Sequence, residues 1–456
     1  MLNQSFSEEN FKKIIEIQNR KGIYLEGDFF PEIAKISQDI KGLNNQLRTL
    51  KTRRLSPIQL EKQKKKLNDK KEKLKLKKEN TLNKKLIIIS KKVTDNKFKI
   101  GIVKDTAITS KPVYKLVYNL ENILTLKQLQ YNFRKLYKVK QSNRYAIISQ
   151  LKNLLDDGFP KIILKTDIKE FYENINQEKL LKKLTDDNLL THLSRKFIKQ
   201  ILIHFNSLTG SQKGVPRGVG ISAYLAELYM RDFDKQIRAL PQVIYYSRYV
   251  DDIIIIFLPP GDNRPITYLE RIKELMEKEG LTMNEDPEKT KEINISNKKP
   301  DKLYNFDYLG YSFSSGYINK KHVPLRVSIS KRKKKRYAKR LLKAFYLYMN
   351  NSKRNEKKAR KLLIKRLRFL TNNTRLVNNK KNILTGIYYS NNLINTLDDL
   401  ALLDRYFRYL LYKFNLPVHL ESRISSNFSF ESGFSPSKLK KFTSTELKNL
   451  INGWAR

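Results

Sequence analysis

Three carboxylates carry the strongest chemical signal in the sequence: Asp167, Asp251 and Asp252. Asp167 ends the run Lys161-Ile162-Ile163-Leu164-Lys165-Thr166. Asp251-Asp252 stand between an aromatic and β-branched stretch ending in Tyr249-Val250 and the run Ile253-Ile254-Ile255-Ile256-Phe257. Short runs of this kind predict buried strands, the last two joined as a hairpin through the acids. Burying an acid there is costly unless a cation accompanies it, and an adjacent carboxylate pair on a rigid turn offers oxygen ligands to a hard divalent ion. Asp167 and Asp251 are 84 residues apart, so they converge if their strands are neighbours. A converged set predicts two Mg²⁺ ions (Mn²⁺ as an alternative) at roughly 3.5–4 Å, one activating a hydroxyl and one steadying a leaving pyrophosphate. In-line phosphoryl transfer requires little else than positioning and charge stabilisation. Taken alone, Tyr249-Val250-Asp251-Asp252 fits a hairpin with a solvated acidic tip equally well.

The elements that must position these acids follow from the rest of the chain. Ser7-Glu8-Glu9 reads as a helix start, with Phe11, Ile14 and Ile15 behind it. Ile33, Ile36, Ile40, Leu43, Leu47 and Leu50 form a helical seam. Ser56-Pro57-Ile58-Gln59 has the form of a capping box with Pro at the first helical position, and Leu60, Leu67 and Leu74 recur among dense lysines. Two antiparallel helices joined near Arg53 to Ser56, with a basic outer face suited to RNA or protein docking, are expected. Lys85 to Val93, Thr94 to Lys97 and Phe98 to Val103 read as strand, turn and strand. Helical periodicity covers Leu120 to Tyr137, Ala146 to Leu155 and a stretch to about His204. Gly210 to Gly220 reads as a loop and Ser222 to Ala239 as one amphipathic helix. A helix from Tyr268 to Gly280 and strands near Leu281 to Ile295 and Phe306 to Phe313 follow. From Ser328 strands largely vanish; Lys331 to Leu370 and Leu393 to Lys413 are helical. The fold class expected is α+β, a strand-and-helix centre with helical ends.

Composition narrows the partners. The 456 residues hold 93 Lys plus Arg against 45 Asp plus Glu, a formal charge of +48. Such an imbalance self-repels unless an anion neutralises it, and nucleic-acid phosphate is the natural counterpart. Abundant Lys, Asn and Ile leave part of that charge open to compositional drift. With no cysteine there are no disulfides or thiolate zinc sites, and four scattered His argue against a histidine metal site. Apolar runs fall far short of a membrane span and Met1 to Ser5 lack a signal pattern, so a soluble cytoplasmic protein with no membrane partner is expected.

Further residues order themselves around the acids in a sequence that resembles the palm motifs of reverse transcriptases over about residues 85 to 370. Asp167 with Phe171-Tyr172 resembles the first acidic motif. Gly214-Val215-Pro216-Arg217-Gly218 with Ser222 resembles the loop and helix at the templating base pair, and Tyr249-Val250-Asp251-Asp252 the signature turn. Gly280-Leu281 to Lys289-Thr290 resembles the next motif, and Tyr308-Leu309-Gly310-Tyr311 the primer grip. The resemblance implies an RNA-directed DNA polymerase with a right-hand fold. Its metal set is Asp167, Ile168, Asp251 and Asp252. Lys289 donates a proton or charge to pyrophosphate, and Tyr172 excludes the nucleotide 2′-OH. Lys111 and Arg144 receive the dNTP triphosphate. Gly214, Pro216, Arg217, Gly218, Tyr249, Tyr308, Leu309 and Gly310 contact template or primer. The implied divisions are an N-terminal helical basic region at 1–84, fingers at 85–160, palm at 161–325, a basic helical thumb at 326–375 and a helical C-terminal extension at 376–456. Tyr172, Lys289, Lys111 and Arg144 also have bland readings, as a core aromatic or as solvated cations. Arg217 and Ala223 stand where the family commonly has Gln and Pro.

Within that family the chain lacks the Val-Thr-Gly triplet usual in retron enzymes and the His- and Cys-bearing nuclease of many mobile-intron enzymes. Gln4-Ser5-Phe6-Ser7, Asn10-Phe11, Asn19-Arg20-Lys21-Gly22 and Gly386 to Asn391 resemble the first subunit of bacterial defence-associated reverse transcriptase type 3. That resemblance implies antiphage defence, a structured non-coding RNA as template, a repetitive DNA product, a second reverse transcriptase subunit and higher-order assembly. A mobile-element or group II intron-like reverse transcriptase, and a catalytically silent RNA-binding scaffold, are the competing readings.

Overall fold

The computed structural model describes residues 2–50, 56–106, 111–139, 142–259, 268–295, 303–376 and 383–455. Its strands are β1 (Ile102–Lys104), β2 (Tyr114–Leu116), β3 (Lys161–Lys169), β4 (Val243–Tyr249), β5 (Asp252–Phe257), β6 (Thr282–Met283) and β7 (Lys291–Ile295). Then come β8 (Leu303–Tyr308), β9 (Tyr311–Ile318), β10 (Lys321–Ile329), β11 (Asn373–Leu376), β12 (Ile383–Gly386) and β13 (Leu439–Lys440). Helix and sheet are mixed along the chain, which divides into two compact units.

The first unit comprises Met1–Gln141, Ile168–Ala239 and Glu270–Asn284 and is mostly helical. Ser7 caps the helix Glu8–Arg20, its hydroxyl accepting from the Asn10 amide. Phe6 packs edge-on against Phe197, ring centroids 4.9 Å apart, anchoring the N-terminal segment on the helix His192–Thr209. The helices Pro31–Leu50 and Pro57–Thr94 pack together as expected, and Ser56 Oγ accepts from the Gln59 amide at 3.3 Å. Arg53, at their join, lies outside the described residues.

Lys85 to Val93 is not a strand but the last turns of the 38-residue helix Pro57–Thr94. Leu82, Leu86, Ile89 and Val93 are buried at spacings of four, three and four, while Ile87 and Ile88 face outward at 40% and 64% exposure. The run of four apolar residues hid a helical period that only its flanks, Leu82 and Val93, disclose. Ser222 to Ala239 is two helices, Ser222–Tyr229 and Arg231–Arg238, divided at Met230.

The second unit comprises Ser142–Asp167, Leu240–Leu269 and Glu285–Arg456. Its main sheet is antiparallel, with β5 between β4 and β3, and β7 on the far side of β3. Every residue of β3 but Lys169 is buried, the polar Lys161, Lys165, Thr166 and Asp167 among them. Ile168 and Lys169, its last residues, belong to the first unit, where they pair with β6. A second sheet, ordered β10-β9-β8, shares a core with the first. Ile147, Ile148 and Leu151 of the helix Arg144–Asp156 meet Ile163, Ile254, Ile256, Phe306, Phe313 and Val327 there.

Beyond β10 the chain is helical but not strand-free, since β12-β11-β13 form a small sheet. Asn373 holds it: buried in β11, it accepts from the Tyr388 amide at 2.9 Å and donates to the Ser435 carbonyl at 2.8 Å. The segment Lys331–Thr371 contains one non-helical residue, Asn355, whose side chain accepts from the Lys358 amide at 2.9 Å and restarts the helix. Leu341, Phe345, Leu363 and Leu367 of that segment pack on Leu403, Phe407 and Leu410 of the helix Asp398–Phe414. Residues 393–397, expected to begin that last helix, precede it instead. Among the described residues no helix is long and apolar enough to cross a membrane.

The corrected helix is testable by unfolding. Ile89→Ala should cost about 2–5 kcal/mol through lost burial and a residual cavity. Ile88→Ala should be within about 0.5 kcal/mol of the parent; equal losses at the two sites would restore the strand.

Candidate active site

The acids meet in the main sheet of the second unit. The antiparallel register of β3 and β5 sets Asp167 directly opposite Asp252, and that of β4 and β5 sets Tyr249 opposite Asp252. Val250 and Asp251 are therefore the two loop residues of the hairpin. Val250 has φ +62°, where two-residue hairpin loops normally place glycine, asparagine or aspartate. A β-branched residue at positive φ costs on the order of 1–3 kcal/mol and persists only where its surroundings enforce it. Buried Arg248 supplies part of that enforcement, its Nη1 donating to the Val250 carbonyl at 2.9 Å. Tyr308, from β8, donates through its hydroxyl to the Asp252 carbonyl at 3.2 Å.

Lys289 enters from the segment before β7. Lys165 Nζ donates to the Glu288 carbonyl at 2.9 Å, and the hydroxyls of Thr166 and Thr290 share a 2.7 Å hydrogen bond. These ties bring Lys289 Nζ to 2.6 Å from Asp167 Oδ2. Burial opposes the Lys289 ammonium, but the hydrogen bond and charge of Asp167, with Asp252 and Asp251, outweigh it and raise its pKa. Burial, then the charges of Asp251 and Asp167, push the Asp252 carboxyl up to about 6 against the pull of Lys289 and Lys165. Asp167 Oδ1 is buried with no hydrogen-bond partner among the described residues.

An orphaned carboxylate oxygen beside an acid held partly protonated is a site short of positive charge, and it fits a divalent cation. Among the described residues, however, no group of three or more His, Cys, Asp or Glu side chains is gathered closely enough to form a cation cage. The facing pair Asp167 and Asp252 is what the fold prepares, with Asp251 on the adjoining loop. Ile168 offers no side-chain ligand; only its main-chain carbonyl could reach a metal.

The other expected site residues fall into two groups. In the second unit Arg144, Tyr249, Tyr308, Leu309 and Gly310 line a cavity of about 610 Å³ together with Asp252 and Lys289. Leu309 and Gly310, at φ +44° and +80°, form the two-residue turn between β8 and β9. In the first unit Tyr172, Gly214, Pro216, Arg217, Gly218 and Lys111 are brought together. Val215 and Gly214 donate their amides to the carbonyls of Tyr172 and Ile175 at 2.8 and 2.7 Å. A Cβ on Gly214 (φ +87°) would lie 2.8 Å from the Glu173 carbonyl oxygen, so the close approach requires glycine. Pro216 accepts at its carbonyl from the Ser222 hydroxyl at 2.8 Å, and the Arg217 carbonyl accepts from the Tyr114 amide at 2.7 Å. Arg217 forks onto Glu173, Nη2 lying 3.0 and 3.1 Å from its two oxygens, and its guanidinium stands 5.0 Å from the Tyr172 ring centroid. Lys111 Nζ is 4.0 Å from Glu170 and Glu173. The two cations expected to share one triphosphate, Lys111 and Arg144, thus belong to different units.

Sequence reasoning missed Lys165, Arg248, Glu173 and Lys333. Lys165 was visible in principle, two residues before Asp167 and so on the same face of β3. Glu173 and Lys333 acquire their roles from contacts across the fold, and Arg248 from a bond to the main chain two residues on.

The raised Asp252 pKa has a definite consequence. A carboxyl whose folded pKa exceeds its unfolded value contributes stability that is complete below about pH 4 and lost as the pH rises through about 6. The full swing is roughly 3 kcal/mol. Metal-free Asp252→Asn should therefore gain melting temperature relative to the parent between pH 4 and 7, and Mg²⁺ should close the gap; parallel melting curves without Mg²⁺ would refute the assignment. Lys289→Met should lower kcat for nucleotide addition by about 100-fold, measured in single-turnover extension, if that ammonium assists pyrophosphate departure.

Comparison with known proteins gives a family match to part of the chain. Residues 89–313 match the family described as reverse transcriptase (RNA-dependent DNA polymerase). No curated protein matches the chain. Among solved structures, telomerase from Candida albicans in complex with a TWJ fragment of telomeric RNA is similar at 14% identity and TM-score 0.35, over 69% of this chain and 55% of that one. Apo telomerase from Candida tropicalis is similar at 15% identity and TM-score 0.38, over 79% and 62%. Its form truncated from the C-terminal domain gives 16%, 0.33, 50% and 57%. The chain spans between 55% and 62% of the length of these structures. Residues 89–313, which hold Asp167, the Tyr249-Val250-Asp251-Asp252 turn and Lys289, are the segment that matches that family.

Proposed function

We propose that the chain synthesises DNA on an RNA template, adding dNTPs by in-line phosphoryl transfer. The observation that carries this reading is the cross-strand pair Asp167 and Asp252, with Asp251 on the adjoining loop and Lys289 on Asp167, inside the matched domain. Two divalent ions, Mg²⁺ or Mn²⁺, would supply Lewis-acid activation of the attacking hydroxyl and charge neutralisation at the leaving group. Asp167, Asp251 and Asp252 are the residues to hold them. Lys289 shields Asp167 in their absence and supplies charge or a proton to pyrophosphate in their presence. Tyr172, braced by Arg217, presents its ring to the sugar of the incoming dNTP.

In the same reading the domain boundaries given above describe fingers, palm and thumb of a right hand, with the N-terminal hairpin and the C-terminal extension beside them. The non-coding RNA template, the second reverse transcriptase subunit, higher-order assembly and antiphage defence are proposed on the N-terminal motifs and on Gly386 to Asn391. The basic helix Pro57–Thr94 suits an RNA partner through charge complementarity.

The test is synthesis by protein purified from its native host, incubated with Mg²⁺ and labelled nucleotides, with bound nucleic acid sequenced. DNA made on one co-purifying RNA, reduced by more than about 100-fold in Asp251→Asn, is the expected result. RNA retained with no incorporation, even with the neighbouring gene product added, would leave a binding scaffold. That outcome would agree with the absence of a ready-made three-carboxylate cage among the described residues.

A further inference from the structure

The helix Asp398–Phe414 buries one side and opens the other to solvent. Leu400, Leu403, Phe407 and Leu410 are buried in the core it shares with Lys331–Thr371. Its three carboxylates are all engaged. Asp398 Oδ2 pairs with Arg326 Nη2 at 2.6 Å and Asp399 with Lys334 Nζ at 2.7 Å. Buried Asp404 accepts from the Ser429 hydroxyl and the Phe430 amide, both at 2.7 Å. Residues 405–414 then hold no acid, but two arginines, a lysine and three tyrosines.

Those six side chains alternate in type along the open side. On a helix, side chains four residues apart stand one above the other. Arg405, Tyr409 and Lys413 make one such column, in the order cation, ring, cation, and Arg408 and Tyr412 make the next. Lys413 Nζ lies 5.9 Å from the Tyr409 ring centroid, and the rings of Tyr406 and Tyr409 are 6.2 Å apart at 28°. Tyr409 and Tyr412 are 53% and 84% exposed, so neither ring serves the core. Among the described residues none of the three cations forms an ion pair. The helix is already anchored by its buried side, and this face adds little to that.

We propose that this face takes an unpaired segment of RNA, with bases stacked on Tyr409 and Tyr412 and backbone phosphates on Arg405, Arg408 and Lys413. This rests on the RNA partner of the polymerase reading. The segment is neither the strand being extended nor the template at the acids, and the face lies beyond residues 89–313. Three features select that ligand. Exposed rings accept base faces, which a duplex conceals. Each of the two rings has an arginine one turn before it, so a stacked base brings its phosphate to a charge at a step of about 6 Å along the axis. The surface is also wholly positive on a chain of formal charge +48, which opposes a second copy of the chain and favours a polyanion.

The probe is an unstructured RNA of about ten nucleotides carrying 4-thiouridine, bound and crosslinked to the full chain at raised salt, where attachment by charge alone is suppressed. Crosslinks should fall within residues 406–413. Tyr409→Ala with Tyr412→Ala should weaken binding by about 100-fold, while Tyr409→Phe with Tyr412→Phe, which keeps both rings, should stay within about twofold of the parent. Arg405→Gln with Arg408→Gln should reduce the salt dependence of log K by about 1.4. An abasic RNA should bind the parent no better than the intact RNA binds the alanine variant, and the annealed duplex should not distinguish the two proteins. Melting temperature and kcat for extension of a self-primed hairpin should be unchanged, since these side chains are exposed and apart from the acids. Equal RNA binding by the parent and the alanine variant, or an equal loss for the duplex, would leave the rings with no base to hold. A phenylalanine variant as weak as the alanine one would point to hydroxyl contacts with a protein partner. Each of these outcomes overturns the proposal while the polymerase stands; absence of incorporation by the parent would overturn the polymerase reading and leave this face to be judged on RNA binding alone.

Discussion

Asp167 opposite Asp252 across β3 and β5 is the constraint on which the second unit depends. Facing carboxylates repel, and burial sharpens the repulsion, so the sheet must hold them together by other means. Those means are apolar. Ile253, Ile254, Ile255 and Ile256 are fully buried, and at about 1.5–3 kcal/mol each they contribute a gross 6–12 kcal/mol as an upper bound. That exceeds the roughly 3 kcal/mol implied by the raised Asp252 carboxyl.

The same unit separates its charges unusually. At the end of β3 the acids exceed the cations, and Lys289 with Lys165 offsets only part of the deficit. Around the β8–β9 turn the cations exceed the acids, and Lys333 is buried without a carboxylate. Each imbalance alone is destabilising.

Around Tyr172 the first unit pairs its charges internally. Glu173 takes both Arg217 and the approach of Lys111, and Arg217 in turn stands over Tyr172. Arg217 has a compensating carboxylate, Glu173, 44 positions earlier on the turn that carries Tyr172. The added charge is therefore spent on bracing the ring as well as on presenting a cation, and the loop Gly214 to Gly218 is stitched to that turn by main-chain hydrogen bonds.

The sequence by itself determined the three acids, the buried runs that carry them and the hairpin between β4 and β5, because β-branched burial and strict spacing act over a few residues; that its loop is Val250-Asp251, with Asp252 already in β5, came from the register. It also determined the helix Leu120–Tyr137 at its observed bounds and the capped start of Pro57–Thr94, since caps and apolar period are local. Tertiary structure alone decided that Lys85 to Val93 is helical. Four consecutive apolar residues satisfy either period, and what they pack against chooses between them. It decided which cations meet which partners: Lys289 reaches Asp167 from 122 residues away, and Arg144 donates to the carbonyl of Leu309 from 165 residues away. It also made the small sheet β12-β11-β13, whose pairing rests on one buried asparagine bonded to distant main chain. Local propensity records what a segment can become; contacts separated by a hundred residues leave no trace in it.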